Sequence, residues 1–313
     1  MKVIGRSDGK SACAAAAYRS GMSLYDARQD RVHDYSQRGG VVHSELMLPG
    51  EAPSSLLMDD PRAQREAFFN MLEASNKRKD AQLAFELLLT LPRECTVQEN
   101  INLVRSFVRE HFLSRQIPCD IALHSHRASD GDAHIHAHVL MCRRPLTADG
   151  FGKIDLEHED NPRVFKRAWA LEKEGRIEEA LVALKGTNLL KWRKSWEVLQ
   201  NAALEAVGST KTVDCRTLKA QGIEREPEPV LGVFKYLDRG LTYVADRFRR
   251  LIGVRHRNAL RAQLDSILQD RPDWCAEFIS KARQFGRRLF PELARDGPEE
   301  HGRDRERGVG HER

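Results

Sequence analysis

Residues 122–141 read ALHSHRASDGDAHIHAHVLM and hold five of the chain's twelve histidines: His124, His126, His134, His136 and His138. The last three alternate along an apolar run. A period of two is that of a β-strand, so their imidazoles project from one face. His124 and His126 alternate in the same way at the end of a second apolar run, IPCDIALH. The polar SHRASDGD between the runs reads as the connection of two adjacent strands, which brings both histidine sets together. Three neutral imidazoles make a divalent-metal site. A lone strand histidine is more often solvated or hydrogen-bonded, but five in this pattern point to a ligand cluster.

Working outward, residues 1–5 have strand character, and Ser11 caps an Ala-rich helix, ACAAAAYRSG, that stops at Gly21 and carries Tyr18 near its end. A polar stretch over residues 25–40 leads into VVHSELMLP, whose alternation predicts a strand. Residues 53–78 show a helical period with Phe68, Met71, Leu72 and Ala74 on one side. The run LAFELLLTLP then reads as a buried strand growing out of that helix and ending at Pro92. TVQENINLVRSFVREHF is an amphipathic helix, with Thr96 as N-cap and Glu99 three residues on as a capping box. This order predicts an α+β domain with a central, largely antiparallel five-stranded sheet and helices on one face. Beyond Pro145 the chain turns helical, with Trp169, Trp192 and Trp196 as packing anchors. The predicted organisation is a first domain over residues 1–230, a basic helical region over 231–290 and a disordered charged tail over 291–313.

Of the 313 residues 41% are hydrophobic, enough for a core, and the net charge of +5 is unevenly placed. Residues 231–290 hold 13 Lys and Arg against 6 Asp and Glu, an excess of +7. That pattern fits either a polyanion-facing surface or a solvated basic helix. The six cysteines have no paired spacing and read as reduced thiols. No run is long and apolar enough for a membrane span, and the N-terminus lacks a signal-peptide core, which predicts a cytoplasmic protein.

Small residues surround Tyr18 in SACAAAAYRSG, which reads as room for a bulky substrate to approach the phenol. A phenol attacks poorly unless a base or cation stabilises the phenolate, and a divalent ion polarising a phosphate would meet the other half of that need. The blocks SACAAAAYRSG, HDYSQRGGVVHSELMLP, NKRKDAQLAFELLLTLPRE, ALH with HAHVLM, and VDCRTLKAQGIEREP occur in that order. Together they resemble the MobA/MobL family of plasmid mobilisation relaxases, of the MobQ type, over roughly residues 2–232.

The resemblance implies a two-layer α+β fold and an enzyme that nicks one DNA strand at a transfer origin by tyrosine transesterification. Tyr18 matches the nucleophile, and His124, His136 and His138 match the ligands of Mn²⁺ or Mg²⁺, with manganese preferred for imidazole donors. The product would be a 5′-phosphotyrosine that permits rejoining. The implied partners are single-stranded DNA at the origin, relaxosome accessory proteins and a type IV secretion coupling protein. The charged stretch 292–313 is a candidate secretion signal.

Three departures bear on these assignments. The connection between His124 and His136 is longer than is usual in the family, and it leaves His126, His134 and His136 as a rival triad. The first strand of the family usually begins a few residues earlier than MKVIGRS, which implies a late start or a truncated edge strand. Where the family often has Glu-x-Glu, Glu86 is present but Leu88 fills the second position. Glu86 is thus a candidate to orient a ligand histidine or accept the Tyr18 proton, or else a plain ion-pair partner. Arg19 binds phosphate or phenolate, or points to solvent, while Tyr25 and Tyr35 read as structural or DNA-contacting. DYSQRGGVVH lets backbone approach backbone and offers aromatics for base stacking. Two other readings fit the same residues: a phosphodiesterase using a metal-bound hydroxide, and a non-enzymatic nucleic-acid-binding module with a structural metal.

Overall fold

The computed structural model describes residues 2–6, 9–127, 132–155, 162–174, 176–184, 186–228 and 241–270, and in it the five predicted strands form one sheet. The chain runs β1 (Lys2–Gly5), α1 (Ala12–Ser20), β2 (Ser23–Asp26), β3 (Arg31–Asp34), β4 (Val41–Met47), α2 (Pro61–Ser75), β5 (Gln82–Thr90) and α3 (Val97–His111). It continues through β6 (Cys119–Arg127), β7 (Ala133–Cys142), the short β8 (Leu146–Thr147) and β9 (Gly150–Phe151), and then α4 (Pro162–Lys173), α5 (Ile177–Leu184) and α6 (Asn188–Ala206). The sheet order is β1-β5-β7-β6-β4, and every neighbouring pair is antiparallel.

The sheet is covered on both faces, where the sequence order predicts helices on one and a two-layer fold. The reason lies in β5, β6 and β7: their odd positions are mostly apolar, and Ala84, Ala122, Leu140 and Cys142 add buried apolar side chains at even positions. Leu87, Leu89, Ile121, Leu123, Val139 and Met141 pack against Val104, Phe107 and Val108 of α3 and against Trp192 and Trp196 of α6. Ala84, Leu140 and Cys142 point the other way and pack with Ala12, Ala16 and Ala17 of α1 and Phe68, Phe69 and Leu72 of α2. Arg65 of α2 is fully buried and donates to Asp120 of β6 at 2.9 Å, which fixes that helix over the same face. A buried guanidinium is tolerated only when paired in this way.

Local signals set the ends of the elements. Ser11 Oγ accepts from Ala14 N at the start of α1, and Gly21 takes φ +66° at its end. The Thr96–Glu99 capping box closes reciprocally, with Thr96 N donating to Glu99 Oε2 at 2.7 Å. The helix predicted over 53–78 is shorter: α2 begins at Pro61 behind the Asp60 cap, and only a single 3-10 turn occupies Ser54–Leu56. It ends at Ser75, so β5 follows a turn and does not grow out of the helix. The polar stretch after α1 contains a hairpin that alternation did not reveal, β2 paired with β3.

The chain divides into two compact units, Met1–Cys215 and Arg216–Arg313, each considered by itself. The second holds α7 (Leu241–Asp270), on which Arg257 pairs with Glu226 at 2.8 Å. The predicted tail over 291–313, the basic stretches on either side of α7 and the side chain of Trp169 lie outside the described residues. Among the described residues the five cysteines are free, and no helix is long and apolar enough to cross a membrane.

Phe107 is wholly buried between Phe112 and Trp196, at ring separations of 5.9 and 5.3 Å. Phe107→Ala should therefore destabilise the first unit by about 3–5 kcal/mol, read as a lower urea midpoint. A change below about 1 kcal/mol would mean that α3 and α6 do not form a continuous core layer with the sheet.

Candidate metal centre

β6 and β7 pair in the register His124↔His136, His126↔His134 and Ala122↔His138. Directly opposed residues share a face of the sheet, so all five imidazoles lie on one side, as alternation predicts. One nitrogen from each of His124, His136 and His138 falls within 4.8 Å of the others. The rings of His124 and His138 are 4.6 Å apart, and Nε2 of His136 is 3.2 Å from Nε2 of His138.

The surroundings fix which nitrogen of two of these rings is free. His124 Nε2 is 2.7 Å from the carbonyl oxygen of Arg19. A carbonyl only accepts, so Nε2 carries the proton and Nδ1 keeps the lone pair. His138 Nδ1 is 2.6 Å from Glu86 Oε1, and donation to this carboxylate leaves the Nε2 lone pair turned toward His136. Glu86 is 7% exposed and also receives Arg19 in a two-pronged pair, Nε to Oε1 at 2.7 Å and Nη2 to Oε2 at 2.5 Å. Burial pushes its carboxyl up, but the hydrogen bonds from His138 and Arg19 outweigh that and hold it well below the usual carboxylate range. Burial pushes the His124 imidazole down, against the upward pull of the Arg19 carbonyl. Burial and the neighbouring imidazoles lower His136 to about 4. Two imidazoles with outward protons already engaged and a third kept neutral by burial are the state a cation requires, so these three residues fit a divalent metal.

His126, His134 and His136 meet the same distance criterion. His126 is exposed, however, and Nδ1 of His134 has no hydrogen-bond partner to orient its ring. The inner triad is the better organised of the two.

Tyr18 lies in the last turn of α1 and is 46% exposed. The small residues around it do a different job from the predicted one: Ala12, Ala16 and Ala17 are fully buried and let α1 pack closely onto α2 and the sheet. Successive helix residues point about 100° apart, so Arg19 turns inward to Glu86 while Tyr18 faces out. Arg19 is buried, and the solvent-pointing reading of it does not hold. The structure brings Tyr18 to the histidine face through its neighbours. The carbonyl of the next residue contacts His124, and Arg38 spans the gap. Arg38 Cζ lies 3.7 Å from the centre of the Tyr18 ring, Nη1 donates to the Tyr18 carbonyl, and Nη2 is 3.5 Å from His124 Nδ1.

Arg38 was not singled out from the sequence; the signal that marks it is the Gly39-Gly40 pair that follows. Gly40 has φ +84°, and a Cβ there would sit 2.9 Å from the Ser125 carbonyl oxygen, so glycine lets this loop run against β6 beside His124. Tyr35 packs edge-on against Tyr18 with ring centres 5.2 Å apart, whereas the Tyr25 hydroxyl is bound to Asp30 at 2.8 Å. Leu88, opposite His138 in the register, is 63% exposed, an apolar side chain on the histidine face.

Residues 10–236 match the MobA/MobL family. The chain is 37% identical over 237 residues to the conjugal transfer protein TraA of Agrobacterium fabrum, covering 74% of this chain and 20% of that protein. It is 34% identical over 243 residues to the mobilization protein MobL of Acidithiobacillus ferridurans, covering 74% and 60%. It is 31% identical over 199 residues to the 43 kDa relaxation protein of Salmonella typhimurium, covering 62% and 51%. The chain thus spans about a fifth of TraA and about three fifths of MobL. A solved structure described as "Molecular Basis of Vancomycin Resistance Transfer in Staphylococcus aureus" is similar with a TM-score of 0.51 and 25% identity, covering 69% of this chain and 96% of that one.

Glu86→Gln removes the charge that orients His138 and neutralises Arg19. Manganese affinity, followed by the loss of free-ion EPR signal, should fall by about 10–100-fold. An unchanged affinity would show that Glu86 serves only as a partner for Arg19.

Proposed function

The chain belongs to the MobA/MobL family, and on that basis we propose that it is a relaxase, a transesterase that nicks one DNA strand at a plasmid transfer origin. The observation that carries this reading is the junction at the end of α1. There an exposed phenol and a three-imidazole cluster are joined by Arg38 and by the Arg19 carbonyl.

In this reading the Tyr18 hydroxyl oxygen attacks phosphorus in line. The bond from phosphorus to the 3′ oxygen breaks, the phenol proton passes through solvent to that oxygen, which leaves as the 3′-hydroxyl, and the 5′ end remains on the enzyme as a phosphotyrosine. The link conserves the phosphodiester, so attack by a 3′-hydroxyl reverses the step and rejoins the strand. A divalent ion held by His124, His136 and His138, which we take to be Mn²⁺ or Mg²⁺ with manganese the tighter binder, supplies positive charge for the phosphate oxygens. Arg38 holds the Tyr18 ring by its face and its backbone carbonyl, and it leaves a cation where the scissile phosphate arrives. Glu86 is the positioning residue for His138. Both its oxygens are engaged and its carboxyl is held low, so it is a weak acceptor for a phenol proton.

Tyr35 and Leu88 on the same open face offer surfaces for unstacked bases. We assign nicking and joining to residues 1–230 and non-specific DNA contact to the basic region over 231–290. The reaction would take place in the cytoplasm, with relaxosome accessory proteins and a type IV secretion coupling protein as partners.

The deciding experiment incubates the protein with an origin-derived single strand and Mn²⁺, then boils it in detergent. Wild type should give a covalent protein–oligonucleotide adduct that chelator abolishes. Tyr18→Phe should lower its yield by about a thousandfold or more. Cleavage by Tyr18→Phe at wild-type yield would instead indicate a metal-bound hydroxide. Binding with neither cleavage nor adduct would indicate a non-enzymatic module.

A further inference from the structure

The inner triad leaves His126 and His134 without a role, yet the fold places them with care. They are a directly opposed pair on β6 and β7, with ring centres 4.9 Å apart, and the His126 ring is 5.2 Å from that of His136. One nitrogen from each of the three lies within 4.8 Å of the others. Nδ1 of His134 and Nδ1 of His136 are both buried without a hydrogen-bond partner. A buried polar nitrogen with no partner is costly, and two of them beside a third imidazole are accounted for by a cation.

We propose that His126, His134 and His136 form a second, outer site for a borderline transition-metal ion such as Zn²⁺, and that this site competes with the inner triad for His136. The donor set selects the class of ion. Three nitrogens and no oxygen suit Zn²⁺ and its neighbours, whereas Mg²⁺ takes oxygen ligands. Competition follows from the imidazole itself. A neutral ring has one unprotonated nitrogen, so His136 completes one triad or the other and not both at once. The outer site opens to solvent at His126. An outer ion therefore withdraws a ligand from the catalytic cluster, and the enzyme becomes sensitive to zinc. This competition rests on the reading of His124, His136 and His138 as the catalytic ligands.

The test compares the full-length wild type with His126→Ala/His134→Ala, whose changes fall at the exposed end of the hairpin. Because the two triads cannot fill together, calorimetric titration of the metal-free proteins with Zn²⁺ alone should give one ion per chain in both, bound about tenfold or more tightly in wild type than in the double variant. In the adduct assay with Mn²⁺, both proteins should react equally without zinc. The zinc concentration that halves the yield should be about tenfold or more higher in the variant. Equal zinc affinity in both proteins overturns the outer site, and two ions bound per wild-type chain overturn the sharing of His136. Weaker zinc binding in the variant with no change in zinc inhibition also overturns the sharing of His136. If wild type forms no adduct at all, the relaxase reading fails, and the calorimetric comparison still decides whether the outer site exists.

Discussion

Glu86 projects from β5 into a nearly dry part of the molecule, where an isolated carboxylate costs several kcal/mol. It is stable there because the Arg19 guanidinium and the His138 imidazole take its two oxygens. Three elements therefore meet on one side chain: α1 through Arg19, β5 through Glu86 itself and β7 through His138. The pairing leaves little freedom in the last turn of α1, since Arg19 must face inward. The residue before it must then face outward, and that residue is Tyr18. The geometry of the proposed nucleophile follows from the neutralisation of a buried charge.

The register of β6 and β7 is the second constraint, and burial on both faces enforces it. A slip of one residue would carry His136 and His138 into the layer of Phe107 and Trp196 and put Ala137 and Val139 in their place. Each imidazole would then be buried in an apolar layer, so the competing register is strongly disfavoured. Along the same face β7 passes from core to site. Leu140 and Cys142 are covered by α1 and α2, whereas His136 and His138 lie beyond that cover and are only partly buried.

What could be read from the sequence was local. The alternation of the histidines, the Ser11 cap, the Gly21 stop and the Thr96–Glu99 box each depend on residues a few positions apart, and each recurs in the structure. What escaped was long-range. Arg19 and Glu86 are 67 positions apart, and Arg38 and His124 are 86 apart. No periodicity encodes such pairs. The second helical layer was missed for a related reason: the order of the elements suggested one layer, and nothing local shows that α3 and α6 pack on the face opposite α1 and α2. The Ala-rich run was read as an opening around Tyr18, when alanine at those positions serves close packing on the opposite side of the helix.

The end of α1 explains why the phenol and the imidazoles meet at all. A helix leaves its last carbonyls without intrahelical partners, and burying them unpaired is costly. The Ala17 carbonyl is taken by Met22 N at 3.1 Å after the left-handed turn at Gly21. The next two are taken by side chains from elsewhere in the chain, Tyr18 O by Arg38 and Arg19 O by His124. The second of these bonds fixes the protonated nitrogen of His124 and so leaves the lone pair on Nδ1, the nitrogen that faces Arg38 Nη2. The first holds Arg38, which in turn lies over the Tyr18 ring. Satisfying two orphaned carbonyls thus sets the tautomer of one proposed ligand and places a cation against the proposed nucleophile. A helix ending one residue earlier or later would present its carbonyls about 100° away, and neither His124 nor Arg38 would find its acceptor there.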